Sequence, residues 1–171
     1  MAVRQSVILI GMPGAGKSTL GILLAKDLGL GFLDTDIAIQ VREQQALQDI
    51  LEEKGYLALR AVEEEVLLET DCHEQVIATG GSAVYSEKGM AYLKSCGPVV
   101  YLDVPLEELR RRIHNYETRG IARRPDQSFE ALFAERKALY LQYADITVRC
   151  DQHGPGEVVG QIMAALQKLD Q

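Results

Sequence analysis

A glycine-rich segment near the start of the chain has the residue types that bind phosphate groups. Residues 11–18 read Gly-Met-Pro-Gly-Ala-Gly-Lys-Ser and fit the pattern G-x-x-x-x-G-K-[ST]. Glycines let successive backbone N–H groups point at the β- and γ-phosphates of a nucleotide, and the helix that follows adds its positive dipole end. The ammonium of Lys17 can bridge phosphate oxygens, and the hydroxyl of Ser18 can ligate Mg²⁺. The residues predicted to bind the nucleotide here are Gly11, Gly14, Ala15, Gly16, Lys17, Ser18 and Thr19.

Two carboxylates follow the next apolar run of the chain. Asp34 and Asp36 come directly after Phe32-Leu33, and side chains two apart in a strand share one face. One of them could hold Mg²⁺ through its water shell, and the other could orient or deprotonate an acceptor hydroxyl. Either could instead cap the helix that begins near residue 37. Beside the phosphate loop, the functional interpretation is favoured.

The other motifs of nucleotide-binding proteins narrow the class. A regulatory GTPase needs Asn-Lys-x-Asp, but the sole asparagine is Asn115, and Tyr116 follows it. The strand-like run that ends at Asp103 continues with Val-Pro and lacks the glutamate of many transport and motor ATPases, so we interpret it as a core strand. No Asp-Gly-Phe-Pro-Arg-like segment points to a nucleoside monophosphate kinase. These observations favour a kinase that acts on another small molecule.

Apolar runs that alternate with helical patterns must position these residues. Strand-like runs are found at 6–10, 32–33, 76–79, 99–102 and 146–148, and helical spacing is found at 20–28, 58–70, 129–143 and 156–169. This alternation predicts an α/β fold in which helices cover both faces of a central parallel sheet, giving three αβα layers in a single domain, 1–171. Ligands of such sheets bind at the carboxyl ends of the strands.

The order of the motifs resembles the shikimate kinase family. It runs from the phosphate loop through Asp34-Thr35-Asp36, Leu59-Arg60-x-x-Glu63 and Gly80-Gly81 to Glu135-Arg136-x-x-Leu139-Tyr140, and covers about residues 5–165. The resemblance implies a P-loop NTPase fold with a mobile lid at about 115–128. It also implies a phosphotransferase that uses ATP and Mg²⁺ to convert shikimate to shikimate 3-phosphate.

The resemblance also implies individual roles. Lys17, Asp36 and Arg119 would be catalytic, with Asp36 as the base and Arg119 reaching over the phosphates from the lid. Ser18 and Asp34 would hold the metal, and Arg112 and Pro155 would flank the adenine. The acceptor would contact Asp36, Arg60, Gly80, Gly81, Ser82 and Arg136, with the arginines on its carboxylate.

The chemistry of these residue types agrees with the implied roles, although simpler alternatives exist. A guanidinium grips a carboxylate through two parallel, charge-assisted hydrogen bonds. Arg60 could instead pair with Glu64 at i,i+4 spacing, and Arg136 could pair with Glu135. The glycines at 80–81 could form a tight turn without a ligand, and the Arg-rich lid could be a solvated loop.

Two segments depart from the family pattern. The chain has Gly80-Gly81-Ser82 where the family has three glycines, and it has the lid sequence 118–124, Thr-Arg-Gly-Ile-Ala-Arg-Arg, where the family has Arg-Pro-Leu-Leu. Both lie near the expected acceptor. A kinase for another hydroxy acid, such as homoserine or gluconate, therefore stays open, as does a non-catalytic nucleotide-binding subunit.

Composition limits the partners and the location of the chain. A net charge of −7 over 171 residues argues against a general nucleic-acid binder. No apolar run approaches the roughly 20 residues that span a bilayer, and the start leaves no room for a signal peptide, so we expect a cytoplasmic monomer. An odd number of cysteines, Cys72, Cys96 and Cys150, predicts reduced thiols. His73, His114 and His153 are isolated, which argues against a structural zinc site.

Overall fold

The computed structural model describes residues 5–116 and 119–171. The strands are β1 (Val7–Ile10), β2 (Gly31–Asp34), β3 (Gln75–Ala78), β4 (Val99–Asp103) and β5 (Ile146–Arg149). The α-helices are α1 (Lys17–Leu28), α2 (Thr35–Glu43), α3 (Leu47–Lys54), α4 (Tyr56–Glu69), α5 (Glu87–Cys96), α6 (Leu106–Arg112), α7 (Phe129–Tyr143) and α8 (Pro155–Leu169). A 3₁₀ helix spans Ala83–Tyr85.

The five strands form one parallel sheet in the order β2-β3-β1-β4-β5. In register, Leu9 of β1 lies between Ala78 of β3 and Val100 of β4. All four residues of β1 are buried, as expected of a parallel strand that is covered on both faces. The predicted α/β fold is confirmed. Because the chain passes from β3 to β4 across β1, the loop after β1 opens at the point where ligands bind in such sheets.

Helices cover the sheet in two layers, and a smaller cluster adjoins them. Helix α1 packs against α8 on one side, and α4 packs against α5 on the other. The smaller apolar cluster joins α2, α3 and α4 through Ile39, Ile50, Leu59 and Val66, and it includes Ala122 of the predicted lid. No helix of the described residues is long and apolar enough to cross a membrane.

The described part of the lid rests on this cluster. The backbone N–H of Gly120 donates to Oε1 of Gln48 in α3, at 2.7 Å, and Ile121 and Ala122 are buried. Glu117 and Thr118, which belong to the predicted lid at 115–128, lie outside the described residues. Residues 119–122 of the lid line the cavity at the carboxyl ends of the strands, and the mobility of the lid stays a prediction.

The prediction of reduced thiols is wrong for two of the three cysteines. Cys72 and Cys96 form a disulfide, whereas Cys150 is free and buried. The two are far apart in sequence, but they precede β3 and β4, the strands on either side of β1. Ser6, just before β1, contacts both: its Oγ donates to the Cys72 carbonyl at 2.6 Å, and its N–H donates to the Cys96 carbonyl at 3.2 Å. Sheet order thus brings the cysteines together, which spacing along the chain did not show.

Candidate active site

The phosphate loop connects the end of β1 to the start of α1. Gly16 caps α1 in a left-handed conformation, with φ of +93°, which favours glycine. The next residue, Lys17, is buried, and its Nζ donates to the carbonyls of Gly11 at 2.7 Å and Met12 at 2.8 Å. Burial lowers the pKa of Lys17 to about 8. The loop thus places an ammonium group and the amino end of a helix together.

Asp34 caps a helix and also contacts the phosphate loop. Its Oδ1 accepts hydrogen bonds from the backbone N–H groups of Asp36 at 2.9 Å and Ile37 at 3.2 Å, so it is the N-cap of α2. Its Oδ2 accepts from the hydroxyl of Ser18 at 2.6 Å. Asp36 lies in the first turn of α2 and not on the strand. The prediction that both aspartates share a strand face is therefore wrong, although both face the same cavity.

A cavity of about 350 Å³ lies at the carboxyl ends of the strands. Of the site residues predicted from the sequence, its wall includes Gly14, Gly16, Lys17, Ser18, Thr19, Asp34, Asp36, Gly81, Ser82, Arg112, Arg119 and Arg136. The predicted residues outside the described wall are Gly11, Ala15, Arg60, Gly80 and Pro155. Most of the predicted site is thus brought into one space.

The buried carboxyl group of Glu63 and the partly buried carboxyl group of Asp36 meet above Gly80. A methyl group added to Gly80 would overlap both Oδ1 of Asp36 and Oε2 of Glu63. Burial, and then the neighbouring Asp36, raise the pKa of Glu63 to about 7. Burial also raises the pKa of Asp36, while the positive charge of Lys17 opposes that shift. Ser82 donates to Oε1 of Glu63 at 2.5 Å.

Glu63 is a residue of the site to which the sequence alone assigned no role. Leu59, Glu63 and Val66 are all buried residues of α4, spaced so that they lie on one helix face. A glutamate in an apolar stripe is costly unless it is paired or functional. The spacing of Leu59, Glu63 and Val66 along the chain was therefore the signal in the sequence that could have identified Glu63.

Arg136 and Arg60 converge on one backbone carbonyl. Nη2 of each donates to the carbonyl oxygen of Ala122, at 2.8 Å from Arg136 and 3.3 Å from Arg60. Arg136 is only 1% exposed, although it carries a full charge. The Nε of both side chains is buried without a hydrogen-bond partner in the part of the chain that the structure describes. Buried donors without acceptors are costly, and a carboxylate would satisfy such a pair.

The surface-pair alternatives for these arginines find no support. Glu64 accepts a hydrogen bond from the hydroxyl of Ser86 at 2.5 Å. Glu135 accepts from Tyr85 and Gln127, at 3.0 and 2.7 Å, and pairs with Arg124 at 3.4 Å. The acids beside Arg60 and Arg136 in sequence are therefore engaged by other groups.

Two further arginines, Arg112 and Arg119, line the cavity. Arg112 donates to the carbonyls of Gly14 at 3.3 Å and Cys150 at 3.2 Å. Arg119 lines the cavity from the lid, whereas Arg123 turns back to the carbonyls of Pro125 and Gln127, both at 3.2 Å. Among the described lid arginines, Arg119 is the one that faces the cavity. Pro155 is exposed at the start of α8.

Comparison with known proteins identifies the relatives of this chain. The family model described as "Shikimate kinase" matches residues 13–167. The shikimate kinase of Mycobacterium avium (strain 104) is 40% identical over 171 residues, a match that covers 98% of this chain and 97% of the relative. The chain belongs to the shikimate kinase family. Membership of this kinase family implies the use of ATP.

Solved structures of shikimate kinases share the fold. The enzyme from Aquifex aeolicus matches with 36% identity and a TM-score of 0.81, covering 95% of this chain and 96% of that one. The enzyme from Acinetobacter baumannii, solved in complex with shikimate, matches with 30% identity and a TM-score of 0.86, covering 96% and 93%. The similarity to shikimate kinases therefore extends over nearly the whole chain.

The two departures from the shikimate kinase pattern have definite places in the cavity. Ser82 lies on the cavity wall, and its hydroxyl donates a hydrogen bond to Glu63. In the lid, Ile121 and Ala122 stand on the wall beside Arg119, and Ile39, Leu47 and Leu59 add further apolar surface. Despite both departures, the predicted aspartates and the predicted arginines other than Arg60 still line the cavity.

Proposed function

We propose that this chain transfers the γ-phosphate of ATP to a hydroxyl of shikimate, giving shikimate 3-phosphate and ADP. One observation carries the proposal: a single cavity is lined by the phosphate loop, by Asp36 and by Arg136, whose Nε is buried without a hydrogen-bond partner among the described residues. Such a space fits a small acid whose carboxylate and reacting hydroxyl point in different directions. The related enzyme from Acinetobacter baumannii binds shikimate in its solved structure, which supports the choice of this acid.

The acceptor is held by its carboxylate. The unpartnered Nε groups of Arg60 and Arg136 supply donors for it, and their burial strengthens charge-assisted hydrogen bonds. Gly80 and Gly81 leave room beside these groups, because a side chain at either position would clash with Asp36, Glu63 or Arg136. Ser82 contributes to the same wall.

Phosphoryl transfer takes place beside Asp36. The acceptor hydroxyl oxygen forms a bond to the γ-phosphorus, the bond from that phosphorus to the β–γ bridging oxygen breaks, and ADP leaves. Asp36 orients the hydroxyl and takes its proton. Lys17 and Arg119 neutralise the charge that spreads over the transferred group.

The oxygen groups beside the loop fit a magnesium ion. The Ser18 hydroxyl and Asp34 carboxylate, 2.6 Å apart, are hard oxygen donors of the kind that Mg²⁺ prefers. They would hold the ion next to the phosphates, where it supplies charge neutralisation when bound.

The nucleotide is held mainly by backbone. The N–H groups of Gly11, Gly14, Ala15, Gly16 and Thr19 belong to the loop and the first turn of α1, where anions bind. Arg112, fixed by its bonds to Gly14 and Cys150, and Pro155 would flank the adenine. A single domain at 1–171, a monomeric state and a cytoplasmic location stay predictions of the sequence.

An acceptor screen tests the proposal. ADP release is measured with shikimate, with homoserine, with gluconate and without acceptor. We expect release with shikimate far above the other three. Faster release with homoserine or gluconate, or release that ignores the acceptor, would refute the assignment.

Two variants test the roles within the site. Asp36→Asn should lower kcat by roughly 10²- to 10⁴-fold while ATP affinity, measured by calorimetry, stays within about threefold of the wild type. Lys17→Ala should abolish turnover with every acceptor. Near-normal turnover of Asp36→Asn would show that another group orients and deprotonates the hydroxyl.

A further inference from the structure

Tyr85 lies between the helices that carry the partly buried Arg60 and the buried Arg136. It ends the 3₁₀ helix that follows Gly80-Gly81-Ser82, and this helix contacts both α4 and α7. The Cζ atom of Arg60 stands 3.7 Å from the centre of the Tyr85 ring, and that of Arg136 stands 5.6 Å from it. One aromatic ring therefore faces both guanidinium groups.

The guanidinium groups of Arg60 and Arg136 have the same charge and share one acceptor, so an attractive contact must offset their repulsion. Burial lowers the pKa of Arg60, Tyr85 raises it, and the neighbouring positive charge of Arg136 lowers it, because like charges at close range repel each other. Within residues 5–116 and 119–171, neither makes a salt bridge to a carboxylate, and their shared protein acceptor is the Ala122 carbonyl. The negative face of an aromatic ring attracts a cation without occupying its N–H donors.

The hydroxyl of Tyr85 fixes the ring. It donates to Oε2 of Glu135 at 3.0 Å, and the same oxygen accepts from Gln127 of the lid segment at 2.7 Å. Arg124, also in the lid segment, pairs with the other oxygen of Glu135 at 3.4 Å. The ring is thus held by a carboxylate that is itself fixed by lid residues.

We propose that Tyr85 is a positioning residue for the acceptor carboxylate. Its ring holds the guanidinium group of Arg136, which lines the cavity, beside that of Arg60, which shares the Ala122 carbonyl with it. The unpartnered Nε donors of the two side chains are thereby kept together for one carboxylate. Tyr85 is absent from the described cavity wall, so it acts through the arginines. This inference rests on the proposed function, because it presupposes that the arginines bind the acceptor.

The test varies the tyrosine and the carboxylate together. Initial rates are measured with shikimate and with its carboxamide, which lacks the negative charge. Tyr85→Leu should raise the KM for shikimate about tenfold, the size of a buried cation–π contact, and leave kcat and the KM for ATP within about twofold. With the carboxamide, Tyr85→Leu and the wild type should have equal kcat/KM. Tyr85→Phe, which keeps the ring, should restore the KM to within about threefold of the wild type.

Tyr92→Leu is the matched control. Tyr92 is also partly buried and donates its hydroxyl to a backbone carbonyl, that of Thr70 at 2.7 Å, but it lies on α5 away from the arginines. It should leave the ratio of kcat/KM for acid and carboxamide unchanged. Thermal unfolding checks each variant, and Tyr85→Met replaces Tyr85→Leu if the latter does not fold.

The outcomes separate the two proposals. If the wild type prefers the acid but Tyr85→Leu affects acid and carboxamide equally, or affects neither, Tyr85 does not position the carboxylate and the proposed function stands. If the wild type uses the acid and the carboxamide equally well, the arginines do not recognise the acceptor's charge and the positioning role of Tyr85 falls, whereas phosphorylation of shikimate is decided separately by the acceptor screen.

Discussion

Glu63 is a buried titratable group in the wall of the candidate site. It lies in α4 beneath the cavity, 3% exposed, with Asp36 near one oxygen and Ser82 bonded to the other. Burial disfavours its charge, and the closeness of Asp36 adds to that effect, so its pKa rises to about 7. The protonation of Glu63 must therefore be coupled to the stability of the fold.

We predict that Glu63→Gln stabilises the protein at high pH but not at low pH. The folded pKa of about 7 exceeds the ordinary glutamate value of 4.5, so the folded state binds the proton more tightly. The wild type then loses stability as pH rises through this window. The advantage of Glu63→Gln in the free energy of unfolding should grow by about 1.4 kcal/mol per pH unit and level off above pH 7 near ~3 kcal/mol.

Urea unfolding of both proteins at pH 5, 6, 7 and 8 measures this difference. Glutamine keeps an oxygen that can accept from Ser82, so the comparison removes mainly the titrating proton. A difference that stays constant from pH 5 to pH 8 would show that Glu63 does not titrate there.

At the residue scale, the sequence predicted functional residues that are neighbours along the chain. It missed those whose contacts form only in the folded structure. The phosphate loop was found because its groups act from neighbouring positions in one turn. Tyr85 was missed because its partners lie on α4 and α7. The pair of Asp34 and Asp36 was found for an incorrect reason, since a helix begins between them.

At the element scale, Asp34 joins the proposed metal site to the start of α2. Its Oδ1 caps the helix while its Oδ2 meets Ser18. Asparagine caps helices as well as aspartate does, whereas alanine does not. The two functions of Asp34 can therefore be separated by substitution.

We predict that Asp34→Asn keeps the stability of the fold but raises the Mg²⁺ concentration needed for activity. Asp34→Ala should show the same metal defect and lose about 1 kcal/mol of stability in addition. Thermal unfolding without metal and Mg²⁺ titration of the initial rate measure the two effects. An unchanged Mg²⁺ requirement in both variants would remove Asp34 from the metal site.

The strands could be predicted from the sequence, whereas several helices could not. Strand-like runs predicted all five strands to within about two residues. For β1, β3 and β4 the reason is that buried parallel strands read as apolar runs. Helices α3, α5 and α6 were not predicted, and of α2 only a possible start near residue 37 was considered. The apolar residues of α2 do not follow one inward stripe, since Ile37 and Val41 are exposed at 56% and 72%.

For the whole molecule, the disulfide and the cavity lie at opposite ends of the sheet. Cys72 and Cys96 precede strands β3 and β4, whereas the cavity lies where the strands end. A cross-link over a separation of 24 residues restricts the unfolded chain. It should contribute to stability without contacting the reacting groups.

We predict that replacing both cysteines, as Cys72→Ser with Cys96→Ser, lowers the free energy of unfolding by about 3 kcal/mol. The kcat and both KM values should stay within about twofold. Urea unfolding with and without dithiothreitol supplies the control, because reductant should destabilise the wild type but not the double variant. Equal stability of the two proteins without reductant would contradict the prediction.

The central claim is that this cavity selects shikimate as the phosphoryl acceptor. The most direct measurement is a competition in which the protein receives ATP, Mg²⁺ and equal concentrations of shikimate, homoserine and gluconate, with products resolved by mass spectrometry. We predict a phosphomonoester of shikimate in amounts equal to the ADP formed. ADP accompanied by inorganic phosphate alone, or a phosphorylated homoserine or gluconate in excess, would contradict the claim.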